Sequence, residues 1–219
     1  TGTVTYQGKT YNTVQIGTQC WLKENLDVGT RIQGSVTSSN NGTIEKYCYN
    51  NDPSNCTTYG GLYQWNEAMA YSTTQGTQGI CPNGWHIPTI AEFFETLKTA
   101  VNNDGNALKA IGQGTGIGAG TNTSGFSALL SGYLLLSGYF QNLGYNTVFW
   151  SSSASGAMYV QTLNLNYNFR DIYFVNDFME YGYSVRCLKD GATAVEDTEE
   201  FPREYSLSQN YPNPFNPTT

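Results

Sequence analysis

The sequence contains little charge. Asp, Glu, Lys and Arg make up only 12% of its 219 residues, whereas an average soluble protein has roughly 25%. The formal net charge is −7, so the chain lacks the basic surface that displaces counterions from a phosphate backbone, and a nucleic-acid partner is excluded. It also lacks any apolar run near the roughly 20 residues that cross a bilayer, so membrane insertion is not expected.

Groups suited to catalysis are scarce as well. His86 is the only histidine, and it stands just before a predicted helix start, where we expect it to fix the helix entry by hydrogen bonding. Residues 151–153 are all serine but lack the Gly-x-Ser-x-Gly elbow of a nucleophile. Spacing singles out no pair for glycosidase chemistry among the candidate carboxylates Glu67, Glu92, Asp171, Asp177 and Glu180. We therefore predict that the protein is not an enzyme.

Two further patterns are missing. Residues 111–125 are glycine-rich, but no lysine follows in the P-loop position, so we expect a surface loop and not a nucleotide site. The sequence begins without Met and without a signal-peptide pattern, which predicts a processed form.

Neutral polar and aromatic residues take the place of charge. The chain has 17 tyrosines and 24 glycines, with many Asn, Ser and Thr. This composition is typical of secreted, β-rich proteins, which are solubilised by amide and hydroxyl groups. We therefore predict a location outside the cell or on its outer surface.

Five cysteines are present and none forms a CxxC pair, so a zinc site is not indicated. Cys48 and Cys56 flank a turn-rich loop that a disulfide could close, and Cys81 and Cys187 would then join the middle of the domain to its last strand. Cys20 is left over. It is either buried and inert, which we favour, or available for an intermolecular bond.

The order of predicted elements indicates an α+β fold. Residues 4–26 predict a β-hairpin around a Gly-Lys turn, followed by a strand. Helical spacing predicts a short helix over 61–71, and Thr89 with Glu92 forms the capping-box pattern at the start of a second helix. Residues 29–60 predict mostly irregular structure, and the chain from 126 onward predicts strands. Strands at both ends place the termini close together.

One predicted strand carries a candidate contact surface. Apolar and polar residues alternate along this strand: Leu163, Leu165, Tyr167 and Phe169 alternate with Asn164, Asn166, Asn168 and Arg170. One face of the strand is therefore expected to be apolar and the other exposed to solvent. Tyr167, Asn164, Asn166 and Asn168 are candidates for contact with a ligand or another subunit. Candidate oxygen ligands for a structural calcium are Asn176, Asp177 and Glu180, in a predicted loop, and Asn51 with Asp52.

Seven segments in the right order resemble the Fibrobacter succinogenes major paralogous domain, over roughly residues 3–190. They are GKTYNTVQIGTQCWLKENL, YCYNNDPSNC, YGGLYQWNEAM, CPNGWHIPTIAEF, GFSALLSGY, FWSSS and GYSVRCLKD. The resemblance implies a C-type-lectin-like or formylglycine-generating-enzyme-like fold, with irregular antiparallel strands, two short helices and long loops. Cys20 stands where the family tends to carry Thr or Val, so any pairing of Cys20 is peculiar to this chain. The sugar-binding Glu-Pro-Asn and Trp-Asn-Asp signatures of calcium lectins are absent.

The last residues differ from the predicted domain, 1–190. Residues 191–204 hold five acids and one base and predict an acidic linker. Residues 205–219, YSLSQNYPNPFNPTT, resemble the opening of the carboxy-terminal sorting domain read by the type IX secretion system. They predict a truncated export segment that could be donated as a strand to a neighbour, with Tyr211 and Phe215 as candidate contact residues.

Two functions remain open at this point. The first is a secreted structural protein that assembles with copies of itself into a filament, tube or surface layer through its C-terminal extension. The second is a monomeric adhesion module that binds an extracellular polysaccharide through exposed tyrosines and asparagines. A head-to-tail contact through residues 205–219 would propagate into an open polymer unless it closed into a ring.

Overall fold

A computed structural model describes residues 2–191. The fold is α+β with mostly antiparallel strands, as the sequence predicted. Its strands are β1 (Thr3–Tyr6), β2 (Lys9–Ile16), β3 (Gln19–Leu22), β4 (Thr30–Arg31), β5 (Glu45–Lys46), β6 (Leu62–Tyr63), β7 (Trp85–His86), β8 (Ser131–Leu134), β9 (Phe140–Leu143), β10 (Asn146–Ala154), β11 (Tyr159–Asn166), β12 (Tyr173–Phe178), β13 (Tyr183–Ser184) and β14 (Leu188–Lys189).

The helices are short, and they outnumber the two that were expected. They are α1 (Pro53–Tyr59), α2 (Trp65–Ala68), a π-helical segment (Glu92–Leu97) that continues into α3 (Lys98–Ala100), and α4 (Gly105–Leu108). Two 3₁₀ turns cover Tyr49–Asn51 and Gly116–Gly118. Such short helices depend on caps and tertiary packing, because a single turn is unstable alone.

The first and last described strands belong to one five-stranded sheet, in the order β1-β2-β3-β14-β7. The two ends of the domain therefore lie close together, as predicted. The opening hairpin turns at Gln7 and Gly8, one residue earlier than expected, because Tyr6 pairs with Lys9. Both turn residues have positive φ, 45° and 78°, which a two-residue hairpin turn requires.

A seven-stranded sheet forms the centre of the domain. Its main path runs β12-β11-β10-β13-β6, and β8 with β9 joins beside β10. In β10, Val148 and Trp150 pack into one apolar cluster while Phe149 packs into another on the opposite face. A strand buried on both faces reads as continuous hydrophobic sequence, which explains the VFW run.

Residues 47–71 differ most from the sequence prediction. Leu62 and Tyr63 pair with β13 instead of starting a helix, so the helix predicted over 61–71 is reduced to α2. The unpredicted helix α1 lies inside the expected irregular region. Asp52 caps α1 by accepting from the Ser54 backbone N–H at 2.9 Å, and Pro53 occupies its first turn, a favoured start.

Two disulfides connect these elements. Cys48–Cys56 and Cys81–Cys187 have Cα separations of 5.0 Å and 5.9 Å, within the usual range. They are the pairs that the sequence predicted. Cys20 is unpaired within residues 2–191 and only half-buried at the margin of the apolar cluster around Trp150, so it is less enclosed than expected.

The helix that begins after Thr89 has the predicted capping box. The Glu92 carboxylate accepts from the Thr89 backbone N–H at 2.7 Å and from its hydroxyl at 2.9 Å. In return, the Glu92 backbone N–H donates to the Thr89 hydroxyl oxygen at 3.2 Å. Phe93 and Leu97 are fully buried, so this helix covers one face of the central sheet.

Candidate functional site

The predicted contact residues lie at one side of the central sheet, on strands β11 and β12. Asn164 pairs with Tyr173 and Thr162 pairs with Val175, so these four side chains share one face of the sheet. Asn164 is half-buried. Tyr173 and Val175 are 40% and 41% exposed. The sequence prediction named Asn164 but missed its neighbours on β12.

Strand β12 is the outer strand of this sheet. Phe174 points to the opposite face from Tyr173 and contacts Phe94, with ring centroids 5.3 Å apart. The ammonium group of Lys98 lies 4.2 Å from the Phe94 ring centroid and 5.7 Å from that of Phe174. The helix thus braces one face of β12, while the edge of the strand has no partner strand among residues 2–191.

The other predicted contact residues follow β11 in a turn. The Asn166 side-chain oxygen accepts from the Asn168 backbone N–H at 3.1 Å, so Asn166 supports the turn. Tyr167 packs edge-on against Tyr145 at 4.8 Å, and Tyr145 is 56% exposed. Asn164, Asn166 and Asn168 therefore do not form one continuous ladder, because the strand ends at Asn166. Tyr211 and Phe215 lie outside the described residues.

The structure does not bring the three calcium candidates together. Asn176 and Asp177 are consecutive residues of β12, not of a loop, so their side chains point to opposite faces of the sheet. Glu180 lies beyond the strand and is exposed. Within residues 2–191, no group of three His, Cys, Asp or Glu side chains is placed to hold a metal ion.

Asp177 points inward instead. The Thr162 hydroxyl donates to its carboxylate at 2.7 Å. Burial raises the pKa of Asp177, while hydrogen bonds from Thr162 and from Tyr183 act in the opposite direction. This carboxylate therefore fastens β12 to the sheet and is not offered to a ligand.

The second calcium candidate also has a structural role. Asp52 caps helix α1, and the Asn51 side-chain oxygen accepts from the Gly34 backbone N–H at 2.8 Å. Both residues are therefore already engaged in local structure.

His86 lies between two carboxylates. Its Nδ1 is 2.6 Å from Asp190, and its Nε2 is 3.0 Å from Glu92. Burial lowers the pKa of His86, but the hydrogen bonds to Glu92 and Asp190 outweigh it, so the pKa is raised above its usual value. The residue thus links β7, the helix start and the end of β14, in the structural role that the sequence predicted.

The serine run is equally engaged in structure. Ser151 donates to the Gln161 carbonyl, the Ser152 hydroxyl accepts from the Gly76 N–H at 2.9 Å, and the Ser153 hydroxyl accepts from the Ile90 N–H at 2.9 Å. These contacts hold β11, a loop and the start of the helix against β10. They provide no nucleophile with an adjacent base.

Two buried cations were missed by the sequence analysis. Lys109 is fully buried and donates to the carbonyls of Gly118, Asn166 and Phe169. Arg186 is 1% exposed and donates to carbonyls and to Asn25. Lys109 directly follows α4 and Arg186 lies between β13 and β14. A single basic residue at such a position carries no local signal of burial, so periodicity could not have found either one.

Lys109 also explains part of the glycine-rich segment. A Cβ on Gly118 would lie 2.4 Å from the Tyr167 carbonyl oxygen, so glycine is needed where this segment meets the end of β11. The segment is therefore fastened to the sheet through Lys109, and not simply a surface loop as predicted, although Ile111 and Ile117 are 79% and 76% exposed.

Comparison with known proteins gives a family. A family model described as the Fibrobacter succinogenes major domain matches residues 14–189. No curated protein matches the chain, and neither does any solved structure. The matched residues form most of the chain, so the protein belongs to this family. Membership of this family suggests that the protein is a surface or secreted domain. The family does not correspond to a known class of enzymes. Residues 2–191 contain no helix long and apolar enough to cross a membrane.

Proposed function

We propose that this member of the Fibrobacter succinogenes major domain family is a secreted structural protein whose copies assemble outside the cell. In the proposed assembly, the C-terminal segment 205–219 of one copy adds as a strand to the edge of β12 in the next. The observation that carries the proposal is the character of that edge.

Strand β12 lacks the features that usually protect a sheet edge. Natural edges are blunted by lysine, proline, bulges or very short strands. The six residues of β12 include neither lysine nor proline, and Tyr173 and Val175 are exposed. Its one charged side chain, Asp177, is held by Thr162 near the end of the strand. The stretch from Tyr173 to Val175 is therefore an uncharged template for another strand.

Other edges in the described domain are less suitable. β1 presents the sequence TVTY, whose exposed residues are the threonines. β6 and β7 have only two residues each. In β9, Gln141 and Asn142 are exposed. An added strand would bury little apolar surface on any of these edges, so β12 is the favoured acceptor.

The C-terminal segment has the pattern of a donor strand. Tyr205, Leu207 and Tyr211 would share one face of a strand with Gln209, and Ser206, Ser208 and Asn210 would lie on the other face. A strand here would therefore present one mainly apolar face. Pro212 cannot donate to a ladder, which sets a limit on the strand. The main-chain hydrogen bonds would supply affinity, and the alternate side chains specificity.

The first experiment is electron microscopy of the full-length protein beside two variants. We expect the wild type to form filaments or tubes, because a head-to-tail contact propagates. Deletion of residues 205–219 and the substitution Val175→Lys should each give dispersed particles, the first by removing the donor strand and the second by charging the acceptor edge.

Thr5→Lys is the matched control, because it places the same charge on the exposed edge strand β1. It should assemble like the wild type. If Val175→Lys also assembled normally, β12 would not be the acceptor. Dispersed wild-type particles under all conditions would refute the assembly itself.

A second candidate is glycan binding by a monomer. It is favoured by the Tyr145–Tyr167 pair, in which an exposed ring is backed by a second one, since exposed aromatic rings stack on sugar faces. A glycan array separates the two functions. Under this second reading, Tyr145→Ala should abolish retention of a polysaccharide, while deletion of 205–219 should leave it unchanged.

A further inference from the structure

A cavity of about 320 Å³ lies between helix α1 and the segment that follows β3. Its lining includes Lys23 and Asn25 after β3, Tyr59 and Gly60 at the end of α1, and Ser127 and Arg186. This volume is at the lower end of the roughly 300–1,000 Å³ range of small-molecule sites, so the cavity fits one monosaccharide. It is separate from the β11–β12 surface.

Arg186 is the unusual group in this cavity. Its side chain is almost completely buried, yet no carboxylate forms an ion pair with it within residues 2–191. Burial lowers the pKa of the guanidinium below its usual range, and only the more distant Glu24 opposes this effect. A buried charge without a counter-ion is costly.

The hydrogen bonds of Arg186 leave one donor unused. Nη1 donates to the carbonyls of Leu22 and Phe126, and Nε and Nη2 both donate to the Asn25 side-chain oxygen. A guanidinium has five N–H donors, so one N–H of Nη2 has no partner among the described residues. The Phe126 ring, with its centroid 4.3 Å from the guanidinium carbon, stacks on the group and fixes its plane.

Asn25 holds the guanidinium in place. Its side-chain nitrogen donates to the Tyr59 carbonyl at 2.8 Å and to the Ser184 hydroxyl at 3.2 Å. The Ser184 hydroxyl forms a hydrogen bond with the Ser131 hydroxyl, which forms another with the Thr147 hydroxyl. Arg186 is therefore the end of a buried chain of hydrogen-bonded side chains that reaches the cavity from the middle of the central sheet, and its guanidinium is held in a fixed position.

The backbone around the cavity is also unusual. Ser127 has φ of 57°, a conformation that non-glycine residues adopt infrequently and that often occurs at binding sites. Gly60 has φ of 85°, and a Cβ there would lie 2.5 Å from the Cβ of Asn25. Glycine at position 60 thus keeps the wall of the cavity close to the residue that orients Arg186.

The charges at the cavity favour an anionic ligand. Lys9, Lys23 and Arg186 are the lining cations, and Glu24 is the lining carboxylate. Lys9 is ion-paired to Asp27 at 3.3 Å, while Lys23 has no ion pair within residues 2–191. Asp27 is shared with Lys46, which lies 2.5 Å from it, so Asp27 does not neutralise Lys9 alone. The lining side chains therefore carry an excess of positive charge, which a carboxylate ligand would partly balance.

We propose that this cavity binds the carboxylate of an acidic monosaccharide unit, with Arg186 and Lys23 as the groups that contact the carboxylate. The hydroxyl groups of Thr57, Thr58 and Ser127, which also line the cavity, provide hydrogen-bond partners for the sugar hydroxyls. The proposal does not rest on the assembly described above.

The test is a calorimetric titration of the full-length protein with trigalacturonate at low salt, beside its methyl ester and sodium acetate. We expect binding of trigalacturonate, with the ester and acetate at least tenfold weaker. Lys23→Gln should weaken trigalacturonate binding about fivefold, because one charge-assisted contact is lost. Lys189→Gln, the same change on an exposed residue that does not line the cavity, should bind like the wild type.

Each opposing outcome overturns a defined part of the proposal. Equal binding of the methyl ester would show that the carboxylate is not recognised. Equal binding of acetate would show that the sugar ring does not contribute to binding. Unchanged binding by Lys23→Gln would place the ligand elsewhere, and absence of binding would refute the site. Val175→Lys should bind trigalacturonate normally, so failure of the site and failure of the assembly are separate results.

Discussion

Lys109 and Arg186 are two buried cations with different surroundings. Each is at most 1% exposed, and each donates to backbone carbonyls of distant segments. Lys109 donates to three carbonyls, and an ammonium group has three donors. Arg186 retains one unused N–H and lines a cavity.

The difference separates a structural cation from one that is available to a ligand. Neither has a carboxylate partner within residues 2–191, so burial alone does not distinguish them. The number of donors that the protein satisfies does distinguish them, because a buried unsatisfied donor is costly unless a ligand or water meets it. Four predictions test this contrast.

The largest effect is expected for Lys109→Met. The substitution leaves the carbonyls of Gly118, Asn166 and Phe169 unpaired, and each buried unpaired group costs about 1–3 kcal/mol. We expect the free energy of unfolding to fall by about 3 kcal/mol in urea denaturation. Lys189→Met, on an exposed residue, is the control and should change it by less than about 0.5 kcal/mol. A similar small change for Lys109→Met would show that its contacts do not contribute.

Arg186→Lys should have the next largest effect. The charge is kept, but an ammonium group cannot reproduce the planar set of hydrogen bonds that the guanidinium donates to Asn25 and two backbone carbonyls. We expect a loss of about 2 kcal/mol in the free energy of unfolding, with a native near-ultraviolet circular dichroism spectrum. A fully stable Arg186→Lys protein would mean that the planar guanidinium is not needed, and it would weaken the contrast with Lys109.

The pH dependence of stability should test the burial of Lys109. Burial lowers the pKa of Lys109 to about 8, against roughly 10.4 in the unfolded chain. Between these values the unfolded state binds more protons, so the free energy of unfolding rises with pH. We expect a gain on the order of 1 kcal/mol from pH 8 to 9.5, measured by urea denaturation.

The same gain should be absent in Lys109→Met, because methionine does not titrate. Buried tyrosines such as Tyr11, whose pKa is raised to about 12 by burial, act in the opposite direction only when unfolded tyrosines ionise near pH 10. The measurement therefore stops below that range. A flat profile in the wild type would contradict the lowered pKa of Lys109.

The smallest effect is expected at His86. Unlike Lys109 and Arg186, this side chain lies between two carboxylates. Its raised pKa means that its ion pairs stabilise the fold below the unfolded pKa of roughly 6.5, and that this contribution disappears as pH rises through the folded value. His86→Gln should cost about 0.5–1 kcal/mol near pH 6 and less above pH 8. An equal cost at both pH values would show that His86 acts through hydrogen bonds alone.

Local patterns in the sequence predicted several features correctly. The capping box at Thr89 and Glu92 involves residues three apart, so its geometry is set within one helical turn. The opening hairpin and the alternation of Leu163 and Leu165 with asparagines are also local. The α+β class followed from these segments. Helix α1 could have been found too, because Asp52 and Pro53 form a known helix start.

Other predictions depended on contacts between distant residues. Leu62 and Tyr63 fit a helical pattern, but their pairing with β13 decides their conformation. Asn176, Asp177 and Glu180 are near in sequence and suggested a calcium loop, yet pairing with β11 turns Asp177 toward Thr162. A pattern of residue types gives no information on which strand will become its neighbour.

The sequence by itself determined the low charge, the Cys48–Cys56 loop, the alternating strands and the helix caps, because composition and spacing act over a few residues. The tertiary structure alone decided which strand lies at the edge of the sheet and which cations are buried. Arg186 meets Asn25 across 161 positions of sequence, and Lys109 meets Phe169 across 60. Such contacts exist only after the chain has folded, because folding brings distant carbonyls and amides within hydrogen-bonding distance.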